Sequence, residues 1–298
     1  FTNAEQAREY VFAHALPLVL KADGLAAGKG VIIAHTQVDA LNAIDEILVD
    51  QRFGDAGQTL VIEEFLEGVE VSFICVASGT QVIPLATSQD HKAREAGDKG
   101  PNTGGMGAFS PAPNVDPALH KRIMDEIINP TVRGLAEEGM PYLGFLYAGL
   151  MIDPNGNPKV LEFNCRLGDP ETQPILMRLQ SDLIALCVSA IEGRIDDYSL
   201  EWDSRYALGV VMVADGYPGD YPRGDEIHGL DEINSSDIKV FHAGTRTEHH
   251  KILTDGGRVL CVTALGQTLI DAQKNAYSGV GSVQWSGAGW RPDIGWRA

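Results

Sequence analysis

Cysteine is scarce in this chain of 298 residues, and its four copies, Cys75, Cys165, Cys187 and Cys261, stand far apart. None has the close spacing of a zinc site, and none suggests a disulfide framework, so they read as reduced thiols in a cytoplasmic protein. Long apolar runs are missing too. No stretch approaches about 18 residues and no signal-peptide pattern appears, which points away from a membrane span or export. Basic residues are in deficit, 23 against 41 acidic, giving a net charge of −18. That balance argues against a nucleic-acid footprint or an anionic membrane surface, so any phosphate ligand must be gripped locally. Internal repeats and low-complexity tracts are absent. So is an initiator methionine: the first residue is Phe1, which suggests a fragment or part of a longer chain. What is present is an apolar fraction of 44 %, enough for one large or two medium cores.

Helix and strand signals alternate from the start. Thr2 with Glu5 suggests a capping box for a helix to about Ala15, and residues 17–22 read as a strand. Further strands are expected over 31–34, 60–64, 70–76 and 81–87, with a helix over 38–48. Residues 88–113, rich in Gly, Pro, Asn and Asp, read as a long loop, and loops of that length are usually functional or disordered. A helix over 119–138 precedes a hairpin in which 146–153 and 159–164 flank the turn residues Pro154 to Asn157. Helices are expected over 172–179, 183–192 and 269–277, strands over 207–214 and 259–264, and a polar break near 196–204.

Three stretches carry chemistry. In "EFNCRLGDPETQ", Glu162 and Asn164 sit at i and i+2 of a strand, project to one face and can offer two oxygens to a hard cation, with Phe163 turned to the opposite core. A strand end with solvated polar groups is the plainer explanation of that pair when it is taken alone. In "KADGLAAGKG", glycines free backbone N–H groups to surround phosphate oxygens. The spacing fits neither a P-loop nor a dinucleotide fingerprint. A strand-loop-strand flap over a triphosphate remains, beside the alternative of an ordinary glycine hairpin. In "VIEEFLEGVEVSF", a strand is broken by Glu63 and Glu64. Backbone near Glu64 and Leu66 can pair with a purine edge, Phe65 or Leu66 can pack its face, and Glu70 can reach ribose hydroxyls. Acids guarding a sheet edge are the plainer explanation there.

The order of these features resembles the ATP-grasp fold over residues 17–200. More closely, "KADGLAAGKG", "ATSQDHK", "GPNTGGMGAFSP", "GFLYAGLM" and "EFNCRLGDPETQP" resemble the phosphoribosylamine-glycine ligase family, also called glycinamide ribonucleotide synthetase. "KVFHAGT", "TDGGRVLCVTALG" and "DIGWRA" extend the resemblance to the end of the chain. It implies an α+β architecture: an ATP-grasp region over 1–204, with a flap subdomain over about 1–65, and a small mixed C-terminal domain over 205–298. The family's N-terminal domain is absent from this sequence.

The implied reaction joins glycine to 5-phosphoribosylamine at the expense of ATP through a glycyl phosphate, giving glycinamide ribonucleotide in purine biosynthesis. The resemblance assigns ATP binding to Lys21, Gly24, Gly28, Lys29, Gly30, Glu63, Glu64, Phe65, Leu66 and Glu70. It assigns magnesium, or manganese, to Glu162 and Asn164. Arg166 would meet the transferring phosphoryl group or the acyl phosphate, and Asp169 and Glu171 a substrate amine, although both also suit helix capping. Asp90, His91, Asn102 and Thr103 are candidates for glycine and phosphoribosylamine contacts, with His91 as a proton acceptor or merely polar surface. Cys165 has no catalytic part and is expected to pack. Partners are small molecules only, for a monomer or a section of a longer multifunctional chain. An ATP-binding regulatory module and another ATP-grasp amino-acid ligase stay open. A biotin-carboxylase-like enzyme is disfavoured because residues 148–151 offer no additional acidic metal ligand.

Overall fold

A computed structural model describes residues 1–24 and 30–297, which fall into two compact units, Phe1–Glu67 and Gly68–Ala298. Gly28 and Lys29 of the glycine-rich loop lie outside the described residues.

The first unit opens with α1 (Ala4–Ala13). Its cap is Asn3, one residue after the expected Thr2, and the Asn3 carboxamide oxygen accepts from the backbone N–H of Glu5 at 2.9 Å and Gln6 at 3.1 Å. Strands β1 (Leu18–Ala22) and β2 (Val31–Ala34) follow, then α2 (Gln37–Ile44), which carries a capping box between Thr36 and Asp39, and β3 (Leu60–Glu64). The strands form an antiparallel sheet in the order β2-β1-β3. One core unites Val11 of α1, Leu20 of β1, Ile44 of α2 and Leu60 of β3, the usual result of an apolar helical stripe laid on one sheet face.

The second unit begins with β4 (Val69–Gly79) and β5 (Gln81–Pro84). The segment expected as a long loop holds four short strands instead, β6 (Gln89–Asp90), β7 (Ala93–Glu95), β8 (Lys99–Asn102) and β9 (Gly107–Ser110). Its turn residues mark hairpin corners rather than one continuous loop. Helices α3 (Pro117–Ile123) and α4 (Asn129–Glu137) lead to β10 (Tyr142–Ile152) and β11 (Pro158–Asn164), then α5 (Thr172–Arg178) and α6 (Leu183–Ile191). The remainder holds β12 (Tyr206–Val213), β13 (Ile238–His242), β14 (Thr245–Glu248), β15 (Lys251–Thr254), β16 (Arg258–Gly266), α7 (Leu269–Ser282) and β17 (Gly289–Trp290).

Its central sheet runs β11-β10-β4-β5. Alternation along β4 sends Val71, Phe73 and Cys75 into a core with Ile123, Ile127 and Ile128, while Ile74 and Val76 join Tyr147, Ile175 and Leu186 on the other face. A second sheet, β13-β16-β12-β9-β6, draws β6 and β9 beside the late strands, and α7 packs on it through Ala272, Ala276 and Val280. The segment 88–92 connects the two sheets. Ser72 and Ser88 exchange backbone hydrogen bonds at 2.8 and 3.1 Å, and Asp90 pairs with Ala108.

Candidate active site

The face of the central sheet that carries Ile74 also carries polar side chains. Directly opposed residues in an antiparallel pair project to the same side, and here Ser72 opposes Gly149, Gly149 opposes Glu162, Ile74 opposes Tyr147, and Tyr147 opposes Asn164. Glu70, Ser72, Tyr147, Glu162 and Asn164 therefore share one face. The expected pairing of Glu162 and Asn164 is present: Asn164 Nδ2 donates to Glu162 Oε1 at 3.1 Å. Phe163, expected in a core, is 42 % exposed, because β11 is the edge strand of its sheet. A bulge in β11, where Gly149 pairs with Glu162 but Leu150 with Val160, re-aims the strand just before the polar pair.

The chain then turns through residues 165–171 and delivers Glu171 to the same face. Glu171 is 3 % exposed and accepts from Ser72 Oγ at 2.8 Å and Tyr147 OH at 2.9 Å; it makes no side-chain cap on α5, so the capping explanation fails. Gly168 makes this approach possible, since a Cβ there would meet Glu171 Oε2 at 2.6 Å and Tyr147 Cε2 at 3.0 Å. Burial, Glu171 and Asp90 together push the Tyr147 phenol far above its ordinary range, so it stays a hydrogen-bond donor.

Segment 88–92 adds Asp90 and Lys92. The Lys92 ammonium is paired with Glu70 and lies 3.6 Å from Asp90 Oδ1. Burial pushes the Asp90 carboxyl up to about 7, with Lys92 opposing and the Glu171 and Glu70 charges reinforcing the rise. Burial also works against the Lys92 charge, but Asp90 and Glu70 outweigh it and hold the ammonium well above its usual range. Two carboxyl groups, Glu70 and Asp90, thus flank one lysine, and the Glu171 charge acts on Asp90 beside them. The cluster has negative charge to spare and suits a second cation.

The remaining candidates are placed less centrally. Arg166 is exposed and donates to the Leu167 carbonyl at 2.9 Å. Asp169 pairs with Arg258, whose Nη2 lies 3.2 Å from Asp169 Oδ2 and whose Nη1 donates to the carbonyls of Gly104 at 2.6 Å and Asp169 at 2.9 Å. Asn102 is exposed on β8, and Thr103 braces the turn by donating through Oγ1 to the Lys92 carbonyl at 2.8 Å. His91 is fully buried, not polar surface. Its Nε2 accepts from Gly295 N–H at 3.2 Å, and burial, then Arg291 and Arg297, push its pKa down to about 3. Cys165 is an exposed thiol rather than a packing residue, since its turn leaves the sheet edge; all four cysteines are free.

In the first unit, Lys21 Nζ lies 2.5 Å from Glu63 Oε2. Gly24 and Gly30 frame the glycine-rich loop: Gly24 N–H donates to the Ala56 carbonyl at 3.2 Å and the Gly30 carbonyl accepts from Ala22 at 2.9 Å. Glu64 is exposed, and Phe65 and Leu66 are half-buried. Glu64 and Phe65 line a cavity of about 360 Å³ with Tyr10, His14, Leu16 and Pro17. Glu70 belongs to the second unit, where it pairs with Lys92, whereas the other residues assigned to nucleotide belong to the first.

Sequence reasoning passed over Ser72, Tyr147, Lys92 and Arg258. Ser72 gave a signal as a polar residue inside the apolar strand "VEVSFICV", and Lys92 directly follows two named candidates. Tyr147 reads as one more apolar residue, and Arg258 is brought in by a fold contact across 89 residues.

Comparison with known proteins fits this frame. The phosphoribosylglycinamide synthetase ATP-grasp (A) domain matches residues 1–172, and the C domain of the same synthetase matches residues 207–297. The chain belongs to the phosphoribosylglycinamide synthetase family. A phosphoribosylamine-glycine ligase of Allochromatium vinosum is 61 % identical over all of this chain and 70 % of its own length. That of Escherichia coli K12 is 57 % identical with the same coverage. The solved phosphoribosylamine-glycine ligase of Thermotoga maritima is 33 % identical, superposes with a TM-score of 0.86, and covers 98 % of this synthetase-family chain and 72 % of its own. The biotin carboxylase domain of a Hydrogenobacter thermophilus 2-oxoglutarate carboxylase, 18 % identical with a TM-score of 0.72 over 96 % of this chain and 61 % of its own, shares the fold. Among the described residues no helix is long and apolar enough to cross a membrane.

Proposed function

We propose that this chain catalyses the ATP-dependent ligation of glycine to 5-phosphoribosylamine. Identity of 61 % over the whole chain to a phosphoribosylamine-glycine ligase carries the assignment. In the reaction a glycine carboxylate oxygen attacks the γ-phosphorus and ADP leaves. The phosphoribosylamine nitrogen then attacks the acyl carbon of glycyl phosphate, the carbon–oxygen bond breaks, and phosphate departs as the amide forms. The protein supplies positioning and charge, with no protein nucleophile.

In the second unit, Glu162 and Asn164 would hold magnesium or manganese. Their mutual hydrogen bond leaves Glu162 Oε2 and Asn164 Oδ1 as donors. Among the described residues no three His, Cys, Asp or Glu side chains form a metal-holding group, so a cation here draws on phosphate oxygens and water, as magnesium does. The chemistry such an ion would supply there is neutralisation of phosphate charge. Arg166 meets the transferred phosphoryl group with its planar fork. In the first unit, Lys21, the glycine-rich loop with Gly24, Gly28, Lys29 and Gly30, and residues 63–66 contact the nucleotide.

The cluster of Glu171, Asp90, Glu70 and Lys92 receives the ammonium of glycine. Glycine keeps its ammonium while its carboxylate reacts, whereas phosphoribosylamine must be neutral at nitrogen to attack. Surplus negative charge therefore selects glycine. Asp169, Asn102 and Thr103 border the phosphoribosylamine. This reading divides the chain into an ATP-grasp region over 1–204 and a C-terminal domain over 205–298, in a cytoplasmic protein. Purified protein supplied with magnesium-ATP and both amines should form product and release phosphate only when glycine is present. Glycine-independent phosphate release without product would reject the assignment.

A further inference from the structure

Arg291 is the largest fully buried side chain described, and an interior guanidinium persists only where its charge is matched. Its Nε and Nη2 donate to Asp293 Oδ1 and Oδ2 at 2.5 and 3.2 Å. Its Nη1 donates to the Ala93 carbonyl at 3.2 Å and lies 2.8 Å from Asp98 Oδ1, a charge contact without hydrogen-bond geometry. Arg297 Nε donates to Asp98 Oδ2 at 2.7 Å, and Asp293 Oδ2 accepts from Gly97 N–H at 2.7 Å. The C-terminal segment thus grips the β7–β8 hairpin at its first residue and at its turn.

The same segment is anchored behind by α7. Tyr277 OH donates to the Arg291 carbonyl at 2.6 Å and accepts from Ile294 N–H at 3.0 Å, and Gln273 Nε2 donates to the Ile294 carbonyl at 2.7 Å. A third grip is the Gly295 N–H on His91 Nε2. His91 stands between Asp90 and Lys92, and the Lys92 carbonyl accepts from both Thr103 N–H and Thr103 Oγ1 at 2.8 Å, which closes the hairpin. The hairpin base therefore runs straight into the carboxylate cluster.

We infer that residues 291–297 form a strap that sets the position of the Asp90–Lys92 segment, with Arg291 as a positioning residue for glycine recognition. The inference rests on the reading of the carboxylate cluster as the glycine ammonium site. The strap holds the Asp90–Lys92 segment through the Ala93 carbonyl and His91, neither a member of the cluster, so its loss should shift Asp90 and Lys92 without removing either charge.

The test uses the full-length enzyme and three variants, Arg291→Met, Arg291→Lys and Glu171→Gln, with KM measured separately for glycine and ATP. Arg291→Met should raise the glycine KM at least fivefold and the ATP KM less than twofold. Arg291→Lys, which keeps the charge but loses the fork, should fall between. Should Arg291→Met fail to fold, Asp98→Asn loosens the same grip at the hairpin turn and should give the same split. Glu171→Gln tests the cluster itself: a raised glycine KM there with an unchanged value in the strap variants overturns the strap. An unchanged glycine KM in Glu171→Gln overturns the cluster reading, and the strap then stands only if its own variants still show the split. Equal rises in both KM values would mark a general loss of structure and overturn positioning.

Discussion

Gly149 stands directly across from Glu162, and a Cβ on Gly149 would come within 3.2 Å of Glu162 Cγ and 3.4 Å of Tyr147 Cε1. The bare position leaves room for the carboxylate and for the tyrosine beside it. Where a larger side chain could have stood, the strand leaves space beside Glu162 and beside Tyr147, whose hydroxyl donates to Glu171.

Glu162→Gln removes one anionic oxygen from an exposed strand end. Folding should be preserved, with the melting temperature within a few degrees of the parent, while turnover at fixed magnesium falls about 100-fold. Titration of rate against magnesium concentration checks it: the half-saturating concentration should rise. An unaltered magnesium curve removes Glu162 from the site.

Tyr147→Phe deletes one of the two hydroxyl donors to a buried carboxylate. Loss of a hydrogen bond to a charged, buried acceptor should cost about 2 kcal/mol of stability. Denaturant unfolding of Tyr147→Phe and of Ser72→Ala measures each donor separately, and the double variant should lose more than the sum if one donor compensates for the other.

Arg258→Met frees Asp169 and the Gly104 carbonyl together. The turn 165–171 and the loop 103–105 should lose their common tie, and the catalytic rate should fall roughly tenfold while ATP affinity holds. Lysine cannot make the three-way contact, so Arg258→Lys should rescue little. Isothermal titration with ATP beside a steady-state rate decides between this tie and a general role in folding.

The pH response follows from Asp90, whose carboxyl is raised to about 7. A raised carboxyl favours the folded state fully below the ordinary carboxylate range, and that contribution is lost as pH rises through about 7. Glycine binding runs the other way, because the ammonium prefers the ionised acid. The glycine KM should therefore fall as pH increases from 6 to 8, and Asp90→Asn should flatten both trends. The neighbouring charges are Lys92, Glu70 and Glu171, with Tyr147 neutral throughout this window. A glycine KM that is flat with pH in the parent enzyme would contradict the cluster's role.

Local patterns were legible where one element carries the whole signal. The i, i+2 pairing of Glu162 and Asn164 was readable because a strand alternates, and the turn 154–157 announced its hairpin. The Gly-rich segment 88–113 was misread because its strands are only two to four residues long and lack apolar alternation. The electrostatics of the cluster were not readable at all. Glu70, Asp90, Tyr147 and Glu171 come from four separate stretches, and the register of β4 on β10, the Ser72–Ser88 bridge and the turn 165–171 bring them together. The strap was hidden for the same reason: nothing near Arg291 in sequence except Asp293 announces a buried charge.

Transfer of a glycine oxygen to phosphate tests the ligase assignment most directly. Full-length enzyme is given magnesium-ATP, phosphoribosylamine and glycine labelled with oxygen-18 at both carboxylate oxygens, and the released phosphate is analysed by mass spectrometry. Passage through glycyl phosphate predicts one labelled oxygen in each phosphate and the other in the amide product. Product formation with unlabelled phosphate would contradict it.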